Sequence, residues 1–468
     1  MEEPNEKLFD EFHGTDTATW KQQVIKDLKG KDFDETLVWK SLEGIDAPAY
    51  FHEGENSVAL PIGLDKETNA WIIRQDFSGT NSKETNQRIL KALRGGASSL
   101  GIRCESNELP ILLKDVFIDM IGVNLDGNDK PQSLLDAYIT ELNHRGLDKT
   151  AAQGAIEFDP IGRLTETGSW INDATADLAT AQHLIETCKN QLPNFKSLLV
   201  GGNLFHEAGG TIVQELAFSM AQGSDYLSLL SEKGLPVQTI ADSMQFHCSI
   251  GSNYFLEIAK LRAARWLWDK VLEAYGVENK SCFIHSVTSS WNTSILDAHN
   301  NLLRGTTEAM SAILGGCDSL TVVPFDDSFA AASGFSERLA RNTQLLLQDE
   351  AYLDRVIDPA AGSHYLENLT TQIAQNAWEE FQQTEQQGGF LEALKKGYIQ
   401  EQITASADKK KAAFAAKQLT LVGVNKYPAE QETNRATAKN VPVSEGIPTV
   451  KPLQRFRIAQ EEEANRQQ

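Results

Sequence analysis

The first place to look for chemistry in this chain is His206-Glu207. The pair would open a zinc-binding H-E-x-x-H helix if a second His followed one turn on. Gly210 stands there, so the ligand set is incomplete. Asp326-Asp327, after Pro324-Phe325, is an acidic pair at the end of an apolar run, where barrel folds carry catalytic groups. Acidic residues in that place also cap the next helix, and capping is the favoured reading. The five cysteines, Cys104, Cys188, Cys248, Cys282 and Cys317, are odd in number and have no C-x-x-C spacing. They build neither a disulfide framework nor a zinc knuckle, and they fit a reducing cytoplasm. No Walker lysine loop and no convincing G-x-G-x-x-G occurs.

The elements that would position such groups follow from periodicity. Short apolar runs at 70–74, 98–102, 154–158, 197–200, 282–286 and 319–323 predict strands. Most lead through a Gly-rich or polar turn into helical periodicity. The clearest helix is expected from about Tyr254 to Ala274, where Ile258, Leu261, Ala264, Trp268 and Val271 make one face. Lys260, Arg262 and Asp269 lie off that stripe. Repeated strand-then-helix units predict a parallel sheet, and about eight of them in about 340 residues suit a (β/α)8 barrel, with an open doubly wound sheet as the competing arrangement. Residues 1–54 are expected to form a helical arm, 55–400 the barrel, and 401–468 a helical extension with a solvated polar tail. Trp20 and Trp39 in the arm pack either on their own domain or on something else.

The chain has 468 residues, 41% of them hydrophobic and 23% charged, ordinary values for a soluble globular protein. A net charge of −22 disfavours nucleic acid and anionic membrane surfaces as partners. The start, Met1-Glu-Glu-Pro, lacks a basic region and an apolar core, so no signal peptide is expected. No run reaches the roughly 18 apolar residues of a membrane helix.

Several longer runs carry a resemblance. VIDPAAGSHYLENLT at 356–370 follows RLARNTQLLL at 338–347. WIIRQDFSGT at 71–80, GGNLFHEAGG at 201–210, QELAFSMAQG at 214–223 and FLEIAKLRAARWLW at 255–268 occur in the same order. Together they resemble the methylmalonyl-CoA mutase family, adenosylcobalamin enzymes that rearrange acyl-CoA carbon skeletons. KDLKGKDF at 26–33 resembles the family's N-terminal arm. The resemblance covers nearly the whole chain and implies a TIM barrel.

It also marks departures. Active members read RQY where this chain reads Arg74-Gln75-Asp76, and that Tyr lies between substrate and cofactor. Their second motif has a His that hydrogen-bonds the thioester carbonyl, and its position here is Leu204. An apolar side chain cannot donate to an oxygen gaining charge in the transition state. Glu157 stands where the family has a pocket Gln. The pocket would thus gain two carboxylates, and a like charge about 4 Å away costs roughly 4 kcal/mol at an effective dielectric near 20, which opposes binding a dicarboxylic acyl group. DAHNNL at 297–302 resembles the D-x-H-x-x-G loop whose His ligates cobalt, but Leu302 replaces the Gly, and an ordinary surface helix is the favoured reading. About 65 residues after the barrel fall short of a typical domain, so no flavodoxin-like cobalamin domain is expected.

The resemblance thus implies the small, non-catalytic chain of a heterodimeric mutase. Such a chain would stabilise a large catalytic subunit that carries adenosylcobalamin and interconverts succinyl-CoA and methylmalonyl-CoA in propionate metabolism. It implies no catalytic, cofactor-binding or metal residue here, with Asp76, Leu204 and Glu157 as degenerate positions. Two alternatives stay open: a substrate-binding chain served by a separate cobalamin subunit, and a stand-alone protein that binds acyl-CoA or regulates.

Overall fold

The computed structural model describes residues 14–51, 60, 66–79, 81–127, 129–331, 333–429 and 448–467. The chain's first residues, the expected boundary at 54/55 and Gln468 lie outside them. Eight parallel strand positions form the central sheet: β1 (Ile72–Phe77), β2 (Ser99–Arg103), β3 (Gly122–Asp126), β4 (Gln153–Ile156), β5 (Phe195–Lys196 continued by Leu198–Val200), β6 (Met244–Ile250), β7 (Ile284–Thr288) and β8 (Ser319–Thr321). Each strand pairs with the next in sequence. The first half of β5 pairs with β4 and the second half with β6, and between them the Ser197 amide donates to Ser243 O. β8 pairs with β1, Leu320 opposite Ile73, and the ring closes. This is the (β/α)8 TIM barrel that the alternating units predict.

Helices follow the strands for local reasons. Asn81, Asp173, Thr211, Ser333 and Ser363 each cap a helix through a side-chain oxygen. The long helix Tyr254–Ala274 has the expected bounds, and its apolar stripe is buried. Trp268 lies against the Phe246 ring at 4.8 Å, a contact of the kind that contributes about 0.5–1.5 kcal/mol beyond burial. Lys260 and Arg262, off the stripe, are buried as well, because each meets two carboxylates there.

The arm divides. Helix Thr17–Asp27 buries no side chain, and Trp20 meets the rings of Tyr50 at 4.9 Å and Phe33 at 6.1 Å. The ribbon of Trp39–Lys40 against Asp46–Ala47 inserts Ile45 and Ala47 into the barrel core, while Trp39 stays 48% exposed.

The C-terminal helix Tyr398–Ala415 begins before the expected boundary at 401. It presses on bare backbone: a Cβ on Gly209, whose φ is +92°, would come within 2.7 Å of the Ala407 Cβ. Residues 448–459 then run over the barrel mouth, with the amides of Leu453, Phe456 and Ile458 donating to Thr165 O, Glu207 O and Trp291 O. The tail helix Gln460–Gln467 is not simply solvated. Glu463 is buried, accepting from Ser294 Oγ at 2.9 Å and the Ile295 amide at 3.0 Å, and pairing with Arg457. Among the described residues no helix is long and apolar enough to cross a membrane.

Candidate functional site

The interior of this barrel is polar, whereas TIM barrels are usually filled by branched apolar side chains. Alternation along β1 sends Arg74 and Asp76 inward, toward Gly101 of β2. A Cβ on Gly101 would meet Asp76 Oδ1 at 2.0 Å and Arg74 Nη2 at 2.6 Å, so the glycine makes room for the pair. Arg74 Nε donates to Asp76 Oδ1 at 2.6 Å, and Arg74 Nη1 donates to Glu157 Oε1 at 2.5 Å. Glu157 follows β4, so this ion pair spans the barrel. Behind it, His247 Nε2 lies 3.3 Å from Glu157 Oε1, and Gln245 Nε2 donates to the same oxygen at 3.3 Å. His285 of β7 packs its ring 4.6 Å from that of His247 and shares a 2.9 Å hydrogen bond with Ser319 Oγ.

The electrostatics follow from burial and pairing. Burial opposes the Glu157 charge, yet Arg74 and then His247 hold its carboxyl well below the usual range. Burial likewise opposes the Arg74 charge, and Asp76 and Glu157 outweigh it, raising the guanidinium above its ordinary value. His285 is held well below its ordinary value by burial, reinforced by Arg74 and His247, and stays neutral. The two carboxylates expected here, Asp76 and Glu157, share Arg74, which neutralises one charge of the two. The like-charge penalty against a dicarboxylic ligand shrinks accordingly.

Asp76, Glu157 and Leu204 sit at the same end of the barrel. A cavity of about 630 Å³ is lined by Arg74, Asp76, Glu157, His247 and His285, and an adjoining one of about 280 Å³ by Glu157, His247 and Leu204. Leu204 is buried on the short helix Asn203–Glu207. The loop before it is fixed by Asp159, which accepts from the Gly201 amide at 2.8 Å, Tyr226 Oη at 2.6 Å and Gln222 Nε2 at 2.7 Å.

The remaining sequence candidates separate. His206 Nε2 lies 2.9 Å from Ser289 Oγ. Burial, with Lys260 and Lys410 nearby, keeps its imidazole neutral. Glu207 accepts from Ser249 Oγ at 2.8 Å and the Ser290 amide at 3.1 Å. His299 stacks on Phe325 at 5.3 Å, at the head of helix Asn300–Leu314. Asp326 and Asp327 do not cap the next helix, Gly334–Asp349; Ser333 does. The run at 356–370 closes on Arg262: Asp358 takes Nε at 3.0 Å, Glu367 takes Nη2 at 2.8 Å, and Thr370 Oγ1 takes Nη1 at 2.8 Å. Sequence reading overlooked Arg74, Gln245, His247 and His285. The available signal was the polar residue at every second position of Met244–Ile250.

Comparison with known proteins agrees with this architecture. Residues 104–468 match the family model described as methylmalonyl-CoA mutase. A methylmalonyl-CoA mutase small subunit from Porphyromonas gingivalis (strain ATCC BAA-308 / W83) is 35% identical over all of this chain and 79% of its own length. A methylmalonyl-CoA mutase from Rhizobium meliloti (strain 1021) is 35% identical over 88% of this chain and 64% of its own length. A small subunit from Streptomyces virginiae is 33% identical over 81% and 62%. This chain thus spans under two thirds of the length of the last two. A match over well over half of the sequence, and identity of this order along its full length, make the chain a member of the methylmalonyl-CoA mutase family.

Proposed function

We infer that this chain is the structural small subunit of a methylmalonyl-CoA mutase. It would assemble with a larger catalytic relative that interconverts succinyl-CoA and methylmalonyl-CoA, and contribute no turnover of its own. The observation that carries this reading is the Arg74–Glu157 ion pair across the barrel, with Asp76 and Leu204 at the mouth. The charged side chains at this mouth satisfy one another, and Leu204, at the position whose His in active members meets the thioester carbonyl, offers no donor. Relatives named small and large subunit occur together in Porphyromonas gingivalis and in Streptomyces virginiae, which supports a heterodimer. The residues here do not fit a cobalamin loop: His299 is stacked on Phe325, and Leu302 sits where the tight turn needs Gly. Adenosylcobalamin is therefore assigned to the partner. The half-exposed Trp39 and the helix Thr17–Asp27, none of whose side chains is fully buried, make the arm the proposed contact with that partner.

Two measurements test this reading. The isolated chain, given adenosylcobalamin and methylmalonyl-CoA, should give no turnover above a no-protein control. Co-expressed with a large-subunit relative, it should co-elute from a size-exclusion column. Turnover alone overturns the first part, and separate elution the second. One observation favours a second reading, acyl-CoA binding without turnover: the polar cavity has the buried His285 Nε2 at its wall, with no hydrogen-bond partner among the described residues. Isothermal titration with an acyl-CoA separates the two.

A further inference from the structure

Two segments from opposite ends of the chain meet on one loop of the mouth. The loop, residues 201–211, carries Leu204, His206 and Glu207, and Asp159 holds its beginning. Its end is held from outside. Glu43, in the turn of the N-terminal ribbon, accepts from the Ile212 amide through Oε2 at 2.8 Å. Its other oxygen lies 2.9 Å from Lys410 Nζ on the C-terminal helix. Lys410 in turn donates to Gly210 O at 2.7 Å and sits over the Trp291 ring at 5.3 Å. Both charged side chains are more than nine-tenths buried.

We propose that Glu43 and Lys410 form a clasp that couples the N-terminal ribbon to the mouth loop, so that moving the ribbon loosens Leu204 and His206. The physical case has three parts. The Ile212 amide is an unpaired donor of a helix start, and here a carboxylate about 170 residues away satisfies it instead of a neighbour. Gly209-Gly210, ahead of the cap residue Thr211, have the greatest backbone freedom to regain once released. And Ile45, two residues from Glu43, is fully buried in the core, so the ribbon cannot shift without carrying Glu43 along. Removing either charge strands the other in a buried place, which makes the clasp an all-or-none contact. The strap at 448–459 also touches this loop, through the Phe456 amide on Glu207 O and the Phe456 ring against Gly209, but it carries neither clasp residue. The clasp stands whether or not the arm is the partner contact.

Hydrogen–deuterium exchange on the full chain tests it. Three variants are needed: Glu43→Ala, the pair Glu43→Met with Lys410→Met, and Ile45→Asp. The double Met variant leaves no unpaired buried charge and keeps the barrel folded. Ile45→Asp disturbs the ribbon while retaining both clasp residues. All three should speed exchange across 203–214 by about tenfold or more, with β2 and β3 on the far wall unchanged. Wild-type exchange at 203–214 in the double Met variant overturns the clasp. Uniformly faster exchange over the whole barrel in Ile45→Asp overturns the coupling.

Discussion

Replacing Arg74 by Met removes the guanidinium that lies between Asp76 and Glu157. The Glu157 side chain is only 9% exposed, so its charge is left with His247 at 3.3 Å and the Gln245 amide. Breaking a buried pair by deleting one member typically costs about 3–5 kcal/mol. With an unfolding entropy of roughly 2.1 cal/mol/K per residue, a chain of 468 residues has about 1 kcal/mol/K in total, so Tm should fall by about 3–5 °C. The loss should depend on pH in a defined direction. Glu157 is held well below its ordinary range in the folded chain, so its stabilisation is complete above the unfolded carboxylate pKa. It disappears as pH falls through the folded value. The Tm gap between wild type and Arg74→Met is therefore widest at neutral pH and narrows in acid. Adding Glu157→Gln to Arg74→Met should recover most of the loss, because both charges are then gone and Asp76, 45% exposed, keeps its water. Scanning calorimetry at about pH 7 and pH 4 checks all of this. A variant within about 1 °C of wild type at neutral pH, or an equal loss at both pH values, refutes the cross-barrel pair as described.

Deleting residues 1–37, which spares the ribbon and its buried Ile45, should weaken association with a large-subunit relative by more than about tenfold and leave the far-ultraviolet circular dichroism unchanged. Equal affinity by titration would make the arm an intramolecular clasp only. Arg262→Ala should lower Tm by about 3–5 °C, since Asp358 and Glu367 lose their shared partner; a change under about 1 °C removes that run from the stability account. Burial pushes the Glu308 carboxyl up to about 8, with the Asn292 hydrogen bond opposing it. Its folded form holds a proton that the unfolded form has lost, so its contribution is complete below about pH 4.5 and fades as pH rises to about 8. Thermal melts between pH 6 and 9 should show stability falling, and Glu308→Gln should flatten the slope.

The barrel was legible because six strands carry apolar runs that stand out between helices. β3 and β6 did not, for one reason. Their inward faces are polar: Asn124 and Asp126 on one, Gln245, His247 and Ser249 on the other. A strand with alternating polar residues looks half-solvated, and here the polar half faces the axis. The helix at Tyr254–Ala274 is legible in extent and in its apolar stripe. Lys260 and Arg262 lie off its apolar stripe, and the sequence does not show that both are buried, because most of the carboxylates they meet lie far away in the chain: Glu215 for Lys260, beside the nearby Glu257, and Asp358 and Glu367 for Arg262. The same limit applied at the mouth. Asp76 and Glu157 were singled out, but their shared partner Arg74 emerges only when β1 and β4 are wrapped around one axis. Pairing between distant residues leaves no periodic trace.

The clasp also sets a schedule for synthesis. Glu43 leaves the ribosome about 370 residues before Lys410, and β1 leaves about 250 residues before β8. At roughly 5–20 residues per second, the ribbon waits about 20–70 s for its docking site to exist. Throughout that interval Glu43 has no Lys410 to pair with, and until β8 emerges Ile45 has no closed barrel to bury itself in. On the proposed reading, a nascent chain in this condition would gain from a partner subunit already made. Placing the gene for a catalytic partner upstream in the same message would supply such a subunit at the right moment, and ribosome profiling of partner-bound nascent chains would reveal whether engagement begins before residue 410 has been translated.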